Sequence, residues 1–426
     1  MNTKNELRLS APPREKTGVV DVSRGEAEMR RVKFGDIAFN SVAKKKPTAE
    51  DAARYIGLEH IDPGSFVVSR WGGDVAPIGE KLLMKKGDLL FGKRRAYQRK
   101  VAIAPFDGIF SAHGMVLRPK TDVVDERYFP FFIASDQFMD MAVKISVGGL
   151  SPTINWKTLK ECEFNLPPLA RQRELANLLW AANDLKESYK KAITATDEML
   201  KAKFREMFGE TGDTSRGAAE SRSEGCRVKS FAGEEQNVKM VKLKEITQGF
   251  RNGLSPSRRG DIHAKVLTLT AITQGTFDAS QWKDATFDDV PAIDKYISES
   301  DFYICRGNGN KSLVGVGVAA PSDYEDLVFP DTMIAVKVDR QLIDLKFLAF
   351  AWKSISIRKQ IESIAKTTNG IYKINQEGLG GVVIPLPPLS LQREFVAIAE
   401  RADAAKSALK QSIADIDQVM KGLINQ

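Results

Sequence analysis

Nine residues, Leu166-Pro167-Pro168-Leu169-Ala170-Arg171-Gln172-Arg173-Glu174, constrain this chain more than any other stretch, because they occur twice. Leu386-Pro387-Pro388-Leu389-Ser390-Leu391-Gln392-Arg393-Glu394 repeat them 220 positions downstream, 386 against 166. A period of that size exceeds the roughly 20–50 residues of solenoid repeats. It fits a whole domain plus a connecting helix, so a chain of 426 residues reads as two tandem halves.

Taken in order, residues 1–29 are polar and predict a flexible N-terminal extension. Residues 30–165 read as an α+β block, with strands at 53–58, 86–91, 100–104, 109–110 and 115–118 and one helix over 128–141. Residues 166–208 predict a long helix, with a stripe of Leu175, Leu178, Ala182, Leu185, Tyr189, Ile193, Thr196, Leu200 and Phe204. Residues 209–238, rich in Gly, Ser, Glu and Arg, read as a flexible linker. The block then returns over 239–384: 240–246 answers 31–37, and 301–306 answers 88–93. Gly370-Ile371 and Ile374-Asn375 likewise answer Gly149-Leu150 and Ile154-Asn155.

A second helix over 385–426 carries Phe395, Ile398, Ala402, Ala405, Leu409, Ile413, Ile416 and Met420, each 220 after a residue of the first stripe. Both stripes recur at 11-residue intervals, which keeps a seam nearly straight. From Arg171 to Phe208 such a helix runs about 57 Å, longer than a domain of this size is wide. The two helices are therefore expected to pack on each other as a spacer; the plainer reading packs each on its own domain.

Charge narrows the partners. Lys and Arg number 63 against 55 Asp and Glu, a net +8, which favours a polyanion such as nucleic acid but also suits many proteins that bind none. Cys162, Cys226 and Cys305 form no C-x-x-C pair, and His60, His113 and His263 have no metal-ligand spacing. A charged N-terminus and the lack of a long apolar run predict a soluble, cytoplasmic protein. Catalytic patterns fail in turn. Asn310 stands where a phosphate-binding loop ending in Lys311-Ser312 needs glycine. The Pro330-Asp331 and 335–337 pair lacks a nuclease's second acidic residue, and leucines flank both Pro-Pro pairs where an amino-methyltransferase carries an Asn or Asp and an aromatic. The chain is expected to have no active site and no cofactor of its own.

What it does carry is basic and polar loops in matched places. Lys93, Arg94, Arg95, Arg99 and Lys100 surround Tyr97 and Gln98. Arg and Gln suit bidentate reading of guanine and adenine. The equivalent loop of the second half offers Arg306, Asn308, Asn310 and Lys311. His113 and Thr332 precede equivalent core strands; Lys144 answers Lys366, Thr367 and Asn369. Arg251, Asn252, Ser257 and Arg258 form a further basic loop. Each loop also has a plainer reading, as a solvated turn.

From about Arg31 to Gln426 the chain resembles the DNA-specificity subunit of type I restriction-modification systems, through the two Leu-Pro-Pro-Leu motifs with their Gln-Arg-Glu and the tandem order. The resemblance implies two tandem target-recognition domains, separated by a pair of long antiparallel helices in a pseudo-two-fold repeat. It implies that each domain reads half of a split double-stranded DNA site. It also implies docking of two methyltransferase subunits, through which restriction–translocase subunits join; Leu166, Pro167, Pro168, Leu169, Gln172, Leu386, Pro387, Pro388, Leu389 and Gln392 are the residues expected at that contact. S-adenosylmethionine, ATP and Mg would belong to those partners. The alternative is a non-catalytic scaffold whose basic loops meet DNA nonspecifically or another acidic surface.

Overall fold

A computed structural model of the chain describes residues 29–75, 77–208, 226–229, 235–368 and 370–425. The expected extension, Met29 apart, lies outside them. The chain divides into two compact units, residues 1–188 with 412–426 and residues 189–411. Two long helices, Leu169–Phe208 and Leu389–Ile424, are each shared between the units. Each unit thus holds one mixed domain, the first part of one long helix and the last part of the other.

Both helices start after a Pro-Pro pair, where a missing N–H costs no helical bond. Equivalent backbone bonds open them, Gln172 N to Pro168 O at 3.0 Å and Gln392 N to Pro388 O at 3.1 Å. Leu166 and Leu386 belong instead to strands Glu163–Leu166 and Val383–Leu386. These pair antiparallel with Arg30–Lys33 and with Glu235–Lys242. The spacer expected from 166 therefore begins at 169, because the motif's first leucine is still needed in the sheet.

The first domain is built on a sheet in the order Ala38–Ser41, Met115–Pro119, Leu89–Phe91, Val101–Ile103. The second repeats it with Thr247–Asn252, Met333–Val338, Asp301–Cys305, Gly317–Ala319. Each domain adds a second four-stranded sheet containing one parallel pair. In the first these strands are Lys44–Lys45, Lys81–Met84, Gly108–Phe110 and Tyr55–Ile56. Only Tyr55–Ile56 of the strand expected at 53–58 is extended. The residues before it form a 3-10 turn, Ala49–Arg54, because Thr48 and Asp51 cap it reciprocally.

The single helix expected over 128–141 is two, Phe129–Ala134 and Asp136–Lys144. Ser135 breaks it: its backbone is extended and its Oγ accepts the Phe138 N–H at 3.1 Å, an N-cap. Ser354 does the same between Leu345–Ala351 and Ile355–Ile364. The linker expected through Val238 is also too long, since Cys226–Lys229 pairs antiparallel with 235–238. Backbone pairing of that kind is nearly blind to composition.

Phenylalanines fill the core of each unit. Phe34, Phe138 and Phe164 meet at 5.2–5.8 Å in the first. In the second, Phe204 and Phe208 of the first long helix lie 5.4 and 5.6 Å from Phe395 of the second. Lys406 reaches Asp197 at 2.6 Å in the same unit. As the first helix runs from 197 to 208, its partners run from 406 back to 395, so the pair is antiparallel there. The apolar stripe is partly misphased. Leu178 and Leu185 are exposed, while Asn183 and Lys186 are buried.

Candidate nucleic-acid interface

In the first domain three loops converge beyond the strand Leu89–Phe91. The Arg94 N–H donates to His113 O at 3.2 Å, the Arg95 N–H to Pro152 O at 2.7 Å, and the Ile154 N–H to Lys93 O at 3.0 Å. Thr153 and Val147 exchange both backbone bonds and close the third loop at its base. Arg95 and Arg99 have φ of 56° and 51°, a left-handed conformation uncommon outside glycine. They bracket the turn Ala96–Gln98, which buries Ala96 and leaves Tyr97 55% exposed.

The cations of this loop do different things. Arg94 Nη2 donates to Ser151 Oγ at 3.1 Å, and its Nη1 lies 3.3 Å from His113 Nε2, so the guanidinium is held across the three loops. The Arg95 side chain is exposed and carries no hydrogen bond or ion pair among the described residues. Burial lowers the pKa of Lys93, with the charge of Lys44 adding to it. Burial and the charges of Arg94, Lys93 and Lys81 likewise hold His113 below its usual 6.5. A half-buried lysine and an exposed histidine thus titrate low beside neighbouring cations. An anion placed there would relieve that repulsion.

Two expected members are taken internally. Arg99 Nη2 bonds Asp136 at 2.7 Å and Ala134 O at 3.0 Å, and Lys100 Nζ bonds Leu58 O at 2.6 Å. Gln98 is half-buried, and Lys144 is exposed at the end of Asp136–Lys144. Lys44 escaped the sequence reading, whereas Lys81 beside it is buried with its Nζ taken by Ile78 O and Gly79 O. Lys44 belongs to the plain run Lys44-Lys45-Lys46, but only the pairing of Lys44–Lys45 with Lys81–Met84 places it on this side of the domain.

The second domain repeats the scaffold. The Arg306 N–H donates to Thr332 O at 2.8 Å, and the Ile374 N–H to Arg306 O at 2.9 Å, the counterpart of the Ile154–Lys93 bond. Gly307–Asn308 pairs with the hairpin of Lys366–Thr368 and Ile371–Lys373. Arg306, Lys311, Thr332, Lys366 and Thr367 are brought together here, the last four exposed. Asn308 and Asn310 serve their own turn: Asn308 Oδ1 accepts the Asn310 N–H, and Asn310 Oδ1 accepts the Ser312 N–H. Asn369 lies outside the described residues.

The Arg251 loop does not join as expected. Arg251 forms an ion pair with Asp301, which is 1% exposed, and donates to Asp294 O at 2.9 Å. Its guanidinium is fixed inside because Asp301 has no other cation paired with it among the described residues. Asn252 Oδ1 accepts from Gln376 at 3.2 Å and Ser257 Oγ donates to Asp288 at 2.7 Å; Arg258 stays exposed.

Of the ten motif residues expected at a docking contact, Leu166, Pro167, Gln172, Pro387 and Gln392 are buried, Leu169, Leu386 and Leu389 half-buried, and Pro168 and Pro388 exposed. Gln172 Oε1 accepts the Asp125 N–H at 2.7 Å, and its Nε2 donates to Val123 O at 3.3 Å and Pro167 O at 2.8 Å. Gln392 repeats the set on Asp344 N–H, Leu342 O and Pro387 O at 2.8, 2.9 and 2.8 Å. These glutamines tie the start of each long helix to the loop entering each domain's helices. That internal role replaces the docking contact expected of them, since their side chains have no exposed surface.

Among the described residues no group of acidic, His and Cys side chains could hold a metal ion, and no helix is long and apolar enough to cross a membrane. The family model for the type I restriction modification DNA specificity domain matches residues 28–195. The chain is 22% identical over 406 residues to the MjaVIII type I restriction enzyme specificity subunit of Methanocaldococcus jannaschii, covering 92% of this chain and 89% of that one. It is 33% identical over 89 residues to the EcoDI specificity subunit of Escherichia coli, 21% of this chain and 19% of that one. Among solved structures, the type I restriction-modification S subunit from M. genitalium shares the fold, with a TM-score of 0.51 at 14% identity over 94% of this chain and 96% of that one. A chain from a study of complex assembly and conformational transition of the type I R-M system does so with a TM-score of 0.55 at 17% identity, covering 93% and 96%.

Proposed function

We infer that this chain, which belongs to the DNA-specificity subunits of type I restriction-modification systems, reads a split double-stranded DNA site with its two domains, one half-site each. The cluster of Lys44, Lys93, Arg94 and His113 carries the reading. Burial and neighbouring cations hold Lys93 and His113 below their usual pKa values, and phosphate would reverse the repulsion. Arg94, held by Ser151 and flanked by exposed Arg95, would meet a base edge, while Lys144, Lys311 and Lys366 suit phosphates. Different loops on a repeated frame suit two different half-sites.

Methyltransferase subunits, two in number, dock on the long helices, and restriction–translocase subunits join through them. Met199 and Val419, 220 apart, are 52% and 60% exposed and offer each helix an equivalent apolar contact. The adenine methylation and ATP-driven cleavage belong to those partners, as do S-adenosylmethionine, ATP and Mg.

The test is selection from randomised duplexes by the chain with its methyltransferase partner, read by sequencing and repeated at rising salt. The expected result is one bipartite site with a fixed gap, and binding that weakens steeply with salt. Enrichment of no sequence, with binding to any duplex, would leave a nonspecific scaffold.

A further inference from the structure

Leu150 is 96% exposed, an aliphatic side chain standing in solvent. Its loop is not loose. The two Val147–Thr153 backbone bonds close it at 3.1 and 2.9 Å, and Gly148 turns it with a φ of 117°. Its neighbour Ser151 accepts from Arg94 Nη2, so Leu150 stands one residue from the guanidinium that the three loops hold together. A leucine fixed in this position gains nothing from the fold. Single exposed apolar residues are common on surfaces, but this one stands on a loop that is closed at its base and tied through Ser151 to Arg94.

We propose that Leu150 is a specificity-determining residue that packs on the C5-methyl group of a thymine, next to the base met by Arg94. The assignment rests on the reading of this domain as a DNA reader. Among the groups on base edges in the major groove, the thymine methyl is the apolar one, and an aliphatic side chain recognises it by contact alone. The surrounding Lys93, Arg94 and Arg95 supply the charge complementarity that brings the groove to the loop. In the second domain the matching position is Ile371, also aliphatic but 43% exposed, directly after Gly370 (φ 76°) in the hairpin of Lys366–Thr368 and Ile371–Lys373. Its half-site contact would differ accordingly.

The experiment compares the full chain, with its methyltransferase partner, and its Leu150→Ala variant on the selected site. Each thymine is replaced in turn by deoxyuridine, which removes the methyl and nothing else. The wild type should lose roughly fourfold in affinity at one thymine of one half-site, the worth of one methyl-sized contact. Leu150→Ala should bind thymine and uracil there equally, with the other half-site unaffected. Folding of the variant is checked by an unchanged preference at that other half. If the wild type keeps its base preferences but ignores every methyl, or if the variant keeps the thymine preference, the assignment of Leu150 is overturned and the reading domain stands. If the wild type prefers no sequence at all, both fall.

Discussion

Lys186 and Asp417 pair at 2.6 Å, and the positions 220 away from each, Lys406 and Asp197, pair at the same distance. Each pair lies within one unit. The partners are exchanged: the lysine comes from the first long helix in one pair and from the second in the other. The 220-residue repeat thus extends to the ion pairs of the long helices, one within each unit.

The two pairs are not equally supported, which gives a first prediction. Lys186 is 7% exposed and, among the described residues, its Nζ otherwise bonds only Gly64 O at 2.9 Å, whereas Lys406 keeps Asp403 at 2.7 Å. Asp417→Asn should cost about 1–2 kcal/mol by stranding a buried ammonium, and Asp197→Asn clearly less. Urea unfolding midpoints of the two variants would show it; equal losses would contradict the asymmetry.

The glutamine ties give a second. Gln172→Leu removes three bonds and leaves the Asp125 N–H and the carbonyls of Val123 and Pro167 without their partner. A loss of about 2–4 kcal/mol is expected, with the same for Gln392→Leu. Hydrogen exchange should locate the loosening at 123–128 and 342–347 respectively.

The buried aspartates at equivalent strand positions take their arginines from different strands. Arg118 binds Asp88 through two bonds of 2.6 and 2.8 Å, while Arg251 reaches Asp301 from the next strand over and leaves its Nε and Asp301 Oδ1 without a partner among the described residues. Lys337 faces Asp301 in register. Arg251→Ser should cost about 2–4 kcal/mol, and adding Lys337→Arg should recover part of it by restoring the first domain's arrangement. A double-variant cycle in thermal unfolding measures the coupling.

His113 predicts a pH dependence of binding. Burial first, and then Arg94, Lys93 and Lys81, hold it below 6.5 in the free protein, and a nearby phosphate would raise it. A group whose pKa rises on binding takes up a proton, so affinity for DNA should increase as pH falls from 7 towards the free value. His113→Gln should flatten that slope in titrations at constant ionic strength.

Deleting 191–194 together with 411–414 removes about one turn from each long helix between the two ion pairs. The gap between half-sites should change while both half-sites are kept. Mapping of methylated adenines checks it, and an unchanged gap would contradict a spacer role.

Much of this was legible in the residues. The exact spacing of the two motifs implied the repeat, and Asp301 with Asp88, or Ile374 with Ile154, proved equivalent to the level of single backbone bonds. Capping serines at 135 and 354 were visible but were outweighed by continuous apolar runs on both sides. The helix stripe was legible at its ends, at Leu175, Leu200 and Phe204. It failed between them because buried Asn183 and Lys186 are polar, and no periodicity of apolar residues can find them.

The candidate site was legible as composition and not as geometry. A run such as 93–100 shows its charge but not that Arg99 and Lys100 turn inward to Asp136 and Leu58, or that Arg251 belongs to Asp301. Those assignments depend on which distant carboxylate or carbonyl comes within 3 Å, and local sequence carries no distance. By itself the sequence determined the duplication, the α+β class and the helix starts, because proline placement and hydrophobic period act locally. The tertiary structure decided which cations remain available, why Gln172 and Gln392 are interior, and that Leu150 stands beside Arg94, because each depends on long-range packing.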